Sequence, residues 1–188
     1  MTADDSDEAL IARYAGGDVD AFEQLYRRHE LRVWRYLQSN VRNHATADEL
    51  LQEVWFAVAR DAPRYSPTSR FTSWLFSIAH HRMIDFVRSH RQHTSLDTLL
   101  EGGALAPALV ADPQSGPQAA ATSRDEAGAI LRALASLPGE QREVFLLQAE
   151  GDLSVEEIAT ITGASFETAK SRLRYARSKL RELLKEYA

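Results

Sequence analysis

The stretch GASFETAKSRLRYARSKLRELLK, residues 163–185, holds the densest charge chemistry of the chain. From Thr168 to Lys185 it sets seven Lys or Arg against one acid, Glu182, a local charge of +6. The whole chain carries -5, so all other residues together sum to -11. At about 100° per residue, Phe166, Ala169, Leu173, Ala176, Leu180 and Leu184 cluster into one buried stripe of a helix. Ser171, Arg174, Tyr175 and Ser178 then point the opposite way, with Lys170, Arg172, Arg177, Lys179 and Arg181 beside them. Hydroxyl, guanidinium and aromatic groups on the outer face can meet base edges in a DNA major groove, while flanking cations neutralise phosphates. A solvated charged face normally mixes signs, and this one does not. Residues 125–167 carry nine acids against Arg132 and Arg142, so repulsion confines contact with DNA to the last helix.

A second basic zone covers residues 64–91, where Arg64, Arg70, Arg82, Arg88 and Arg91 oppose Asp85 and alternate with Tyr65, Phe71, Trp74 and Phe76. Rings that stack on unpaired bases and cations that follow a backbone suit single-stranded nucleic acid. Phe71 and Phe76 also fit the core of the helix they belong to. No catalytic constellation stands beside these zones: Asp48, Glu49 and Glu53 share one helix start without a phosphate-cradling Gly loop. The histidine pairs His80–His81 and His90–His93 lack a third convergent ligand, so neither an enzyme nor a metal or other cofactor is expected.

The elements that must position these groups read as helices throughout. Apolar residues recur at helical spacing at Phe22, Leu25, Tyr26, Val33, Trp34 and Leu37, after a short helix over about Asp7–Tyr14. Leu50, Leu51, Val54, Trp55 and Val58 form a third stripe, and Thr46 with Glu49 has capping-box spacing at its start. Leu75, Ile78, Ala79, Met83 and Phe86 form a fourth. The segment 92–124, rich in Gly, Pro, Ala and Ser, reads as a flexible, protease-sensitive linker. Beyond it Pro138 suits a first helical turn, and Ser154 with Glu157 makes a second capping box. Gly163 supplies a sharp turn before a longer helix from Ser165, the outline of a helix-turn-helix. The expected fold is all-α: a domain over 1–91, the linker, and a domain over 125–188.

Composition narrows the class. The 188 residues suffice for one ordinary domain or two small ones. No apolar run approaches membrane-spanning length and the start, MTADDSDEALIARY, is acidic, so a soluble cytoplasmic protein is expected. The absence of cysteine excludes disulfides, thiol redox sensing and Cys-based zinc sites.

ADELLQEVWFAVAR, RFTSWLFSIAHHRMIDFVR and LPGEQREVFLLQAEGDLSVEEIATITGASFETAKSRLRYARSKLRELL, in this order around a linker, resemble the extracytoplasmic-function, or group IV, sigma factors of bacterial RNA polymerase. The resemblance spans nearly all of residues 7–186. It implies two helical domains, of sigma region 2 and region 4 type, and a chain that supplies promoter recognition and strand opening while polymerase does the chemistry. Carried over by position, Lys170, Ser171, Arg174 and Tyr175 correspond to readers of the -35 element, with Arg172 and Arg177 on phosphates. The loop Ala62–Thr72 corresponds to the one that receives a flipped -10 base. Arg64, Tyr65, Arg70, Phe71, Trp74, His81 and Arg88 are the candidate -10 contacts. Asp48, Glu49, Gln52, Glu53 and Trp55 fall at the surface expected to meet core polymerase, through its β and β′ subunits. Two departures stand out: His81 replaces a common Asn, and Thr46 replaces a common acid in the polymerase-facing cluster. A phosphate on Thr46, placed by a Ser/Thr kinase, would restore that charge at a helix N-terminus. An anti-sigma protein that clamps the two domains together is a further possible partner. The alternative on residues alone is a stand-alone helix-turn-helix regulator whose amino half dimerises or senses.

Overall fold

The computed structural model describes residues 5–93 and 117–185. The described residues form helices α1 (Asp7–Ala15), α2 (Val19–Val41), α3 (His44–Asp61), α4 (Phe71–His93), α5 (Pro117–Ser136), α6 (Gly139–Gly151), α7 (Val155–Thr162) and α8 (Phe166–Leu183), with a 3₁₀ turn at Ala62–Arg64 and no strand among them. Residues 94–116, most of the expected linker, lie outside the described residues, and α5 begins at Pro117, ahead of the expected linker end.

Local chemistry explains the helix starts. Ser6 accepts the Ala9 N–H ahead of α1, and Asp18 accepts the N–H groups of Asp20 and Ala21 ahead of α2. The Ser154–Glu157 capping box forms as expected. Pro138 sits one place earlier than expected, at the N-cap of α6. The start of α3 differs more: Asn43 accepts the Thr46 N–H at 3.0 Å, so the helix begins at His44 and Thr46 is inside its first turn. An Asn is at least as good a cap as a Thr, and the earlier start adds helical residues at no loss of capping.

In the amino-terminal bundle α1 to α4 bury Leu25, Val33, Leu37, Leu50, Val54, Val58, Leu75 and Ala79 between them. Phe22, Tyr26 and Trp34 of the expected α2 stripe are only partly buried, and His29, Tyr36 and Gln38 occupy the interior instead. His29 is tolerated there because its Nε2 lies 2.7 Å from the Asp7 carboxylate and its ring packs on Phe71. In the carboxyl-terminal half α6, α7 and α8 pack Val144, Leu147, Ile158, Ala169, Leu173, Ala176 and Leu180 together. Phe166 departs from the predicted stripe: it is 39% exposed, and Lys170 Nζ lies 5.6 Å from its ring centroid.

The two halves pack directly, with α6 against α2 and α7 against α4. Gly151, at the end of α6, is buried there; a Cβ at that position would stand 2.8 Å from Leu153 Cγ and 3.3 Å from Phe76 Cδ2. The absence of a side chain leaves room for Leu153 to fold back on the end of α6 and for Phe76 of α4 to pack beside it.

Candidate nucleic-acid interface

The helix-turn-helix places α8. Gly163 takes φ +65°, a left-handed conformation that glycine adopts without steric cost, and Ser165 caps α8 by accepting the Thr168 N–H. Ala169, Leu173, Ala176 and Leu180 seat the helix, so its outer face carries exposed Lys170, Arg174 and Tyr175 and half-buried Ser171. Arg174 lies against the Tyr175 ring, its Cζ 5.1 Å from the centroid. Arg172 bonds Glu140 and Arg177 bonds Gln148, both on α6. These two arginines thus stand on the shoulders of α8 with their guanidinium groups already oriented. A pair of oriented cations beside an exposed aromatic–Arg–Lys face is suited to a duplex groove, the cations to phosphates and the face to base edges.

The second basic zone forms around the 3₁₀ turn and the start of α4. Tyr65 donates its hydroxyl to the Ser69 carbonyl at 2.8 Å and packs on Trp74, ring centroids 5.0 Å apart. Glu8 of α1 accepts the Phe71 N–H at 2.9 Å, satisfying a donor at the start of α4 and fixing where the loop ends. That hydrogen bond is the main reason the Glu8 carboxyl is held below its ordinary pKa. Arg64, Arg70, His81 and Arg88 are exposed, while Tyr65 and Trp74 are half-buried with surface left for stacking. Phe71 is fully buried and is a core residue rather than a base contact, because its ring completes the packing around His29 and Trp74.

Sigma-70 region 2 matches residues 25–93 and sigma-70 region 4 matches residues 127–180. RNA polymerase sigma factor CarQ of Myxococcus xanthus is 37% identical over 176 residues, spanning 94% of this chain and 96% of that protein. The chain belongs to the sigma factors. The ECF RNA polymerase sigma factor SigM of Mycobacterium tuberculosis, 31% identical over 180 residues and covering 95% of this chain and 85% of its own, identifies the extracytoplasmic-function branch. The sigma factor RpoE of Bartonella quintana, solved in complex with the anti-sigma factor NepR, aligns with a TM-score of 0.69 at 25% identity over 87% of this chain and 96% of that one. As a sigma factor the chain directs promoter-specific transcription, and a stand-alone regulator is not favoured.

The sigma factor's α3 carries the residues expected to face polymerase. Glu49, Gln52 and Glu53 are exposed. Asp48 is partly engaged within the domain: it accepts the Trp34 indole N–H at 2.7 Å and lies 3.1 Å from His44 Nδ1. Trp55 is 5% exposed, packed between Phe22 and Tyr26, so it supports the surface from beneath. The residue that sequence reasoning missed is its neighbour Phe56, 75% exposed on the face of Gln52 and Glu53. Phe22, Tyr26, Leu51, Gln52, Trp55, Phe56 and Ala59 line an apolar groove of about 250 Å³. The signal was available: at about 100° per residue Phe56 falls opposite the stripe of Leu50, Leu51, Val54, Trp55 and Val58, on the face of Glu49, Gln52 and Glu53. Among the described residues no helix is long and apolar enough to cross a membrane.

Proposed function

We propose that α8 reads the -35 element of its promoters through Lys170, Ser171, Arg174 and Tyr175, with Arg172 and Arg177 on flanking phosphates. The 62–72 loop and α4 receive the -10 strand through Arg64, Tyr65, Arg70, Trp74, His81 and Arg88. Glu49, Gln52, Glu53 and Phe56 on α3 engage core polymerase, which supplies all the catalysis, so the chain itself is no enzyme and works in the cytoplasm where the chromosome is. The observation that carries this reading is the unobstructed Lys170–Arg174–Tyr175 face presented by a correctly capped helix-turn-helix. The complex of the RpoE relative with an anti-sigma factor supports control by a protein of that kind. Thr46, in the first turn of α3, remains a position where a phosphate would add charge beside Glu49.

The test is reconstituted transcription from genomic fragments with purified core polymerase and this chain. Promoter mapping should reveal a shared pair of sequence blocks, and the Arg174→Ala variant should lose preference in the upstream block alone. Core polymerase transcribing the same fragments equally well without the chain would refute the reading.

A further inference from the structure

The first residue of α8 does not sit where its spacing places it. Phe166 belongs by periodicity to the stripe of Ala169, Leu173, Ala176 and Leu180, yet those four are buried and Phe166 is 39% exposed among the described residues. Lys170, one turn further along, holds its Nζ 5.6 Å from the centroid of the ring. A single apolar side chain on a surface is ordinary in itself. The position of this one is not, because in a helix-turn-helix the N-terminal residues of the second helix are those that reach base edges in the major groove. Phe166 stands at that end, directly after the N-cap Ser165.

The chemistry of the helix start narrows what the ring can meet. A bare helix N-terminus attracts a phosphate, but this one is already supplied with oxygen. Ser165 Oγ accepts the Thr168 N–H at 3.1 Å, the hydroxyls of Ser165 and Thr168 lie 2.8 Å apart, and Glu167 sets an exposed carboxylate in the first turn. That carboxylate offsets the helix dipole and repels a second anion. Phosphate contact is thereby left to the flanking cations, and the start of α8 is free to face the bases. Every group that base pairs present in the major groove is a hydrogen-bond donor or acceptor except one, the 5-methyl of thymine. A phenyl ring offers no conventional hydrogen bond, but against that methyl it removes apolar surface from water on both sides. The Lys170 ammonium over the ring keeps the two side chains together, so they approach the groove as a pair, one cationic and one apolar.

We propose that Phe166 is a specificity-determining residue of the promoter contact: its ring covers the 5-methyl group of a thymine in the -35 element, one or two base pairs from the base read by Lys170. The spacing follows from the 5.6 Å between Lys170 Nζ and the ring, set against about 3.4 Å per base pair. This inference rests on the assignment of α8 to the -35 element.

Replacing thymine by uracil removes that methyl and nothing else. Holoenzyme assembled from core polymerase and the full-length chain is titrated with duplexes carrying the upstream block found by promoter mapping, each thymine on either strand being replaced singly by uracil. In wild type one such replacement should lower affinity about fourfold, the contribution of a single buried methyl group, while the others change it little. In Phe166→Ala, thymine and uracil at that position should bind alike. Base-pair substitutions tested with Lys170→Ala should show relaxed preference within two pairs of the same thymine. Indifference of wild type to uracil at every position, a block that lacks thymine, a Phe166→Ala chain that still distinguishes thymine from uracil, or a sensitive thymine farther than two pairs from the Lys170 position overturns the inference. Urea unfolding of each variant runs alongside. Should Phe166→Ala lose cooperative unfolding, Phe166→Gln, which keeps a strong helix former and removes the ring, decides in its place. Failure of the α8 assignment itself reads differently: Arg174→Ala then leaves preference unchanged at every position, whereas failure of the Phe166 contact leaves the Arg174→Ala loss intact.

Discussion

Replacing Phe56 by Ala separates a docking surface from a structural one. Its neighbour Trp55 is buried and Phe56 is 75% exposed, so the two adjacent aromatics should respond oppositely to truncation. Full burial of a Phe side chain is worth about 1.5–3 kcal/mol. With three quarters of Phe56 still available for burial, its coverage by polymerase contributes about 1–2 kcal/mol, a loss of roughly 5–30-fold in affinity on truncation. Its contribution to folding is small, because an exposed substitution changes stability by about 0.5 kcal/mol or less. Trp55→Ala instead opens the core between Phe22 and Tyr26 and should cost about 3–5 kcal/mol of stability. The assay is titration of labelled sigma factor with core polymerase, alongside urea unfolding of each variant. Wild-type polymerase affinity for Phe56→Ala, or a stability loss for Phe56→Ala comparable with that of Trp55→Ala, would refute the reasoning.

Arg174→Ala should cost about 1–3 kcal/mol of discrimination at one or two positions of the -35 element, measured by binding of holoenzyme to a promoter library. Arg177→Ala should weaken all sequences about equally and lower the salt dependence, since its group stands on a shoulder of α8. Asn43→Ala should cost about 0.5–2 kcal/mol of stability as loss of the α3 cap, while Thr46→Ala, no cap at all, should change thermal unfolding by less than about 0.5 kcal/mol. Glu8→Gln addresses pH: the wild-type carboxyl is depressed by the Phe71 N–H from its ordinary value of 4.5, so its ionised form stabilises the fold. That stabilisation is present above pH 4.5 and is lost as pH falls through the lower folded-state value. The melting-temperature gap between wild type and Glu8→Gln should therefore be widest near neutral pH and close in acid; a gap that is constant with pH refutes the charge argument.

Helical periodicity, capping residues and a turn glycine act over a few residues, so most helices, the helix-turn-helix and the polarity of α8 are legible in the sequence, whereas the first turns of α5 fall in the expected linker. Ser154, Glu157 and Gly163 perform in the structure the tasks that their types imply. Local rules were weaker where two signals compete within one turn, as at Asn43 and Thr46, and silent on which apolar residues stay outside. Phe56 and Phe166 are exposed because, among the described residues, no other helix covers them, a fact about neighbours distant in the chain. The same holds for the polar interior. His29 is buried only because α1 brings Asp7 to it, and Tyr36 and His80 only because α6 brings Glu143. Glu143 is separated from Tyr36 by 107 residues and from His80 by 63. A carboxylate read alone in α6 is one more surface acid; its meaning comes from the histidine, the tyrosine and the loss of water when the two halves close, and only the tertiary structure decides that these coincide.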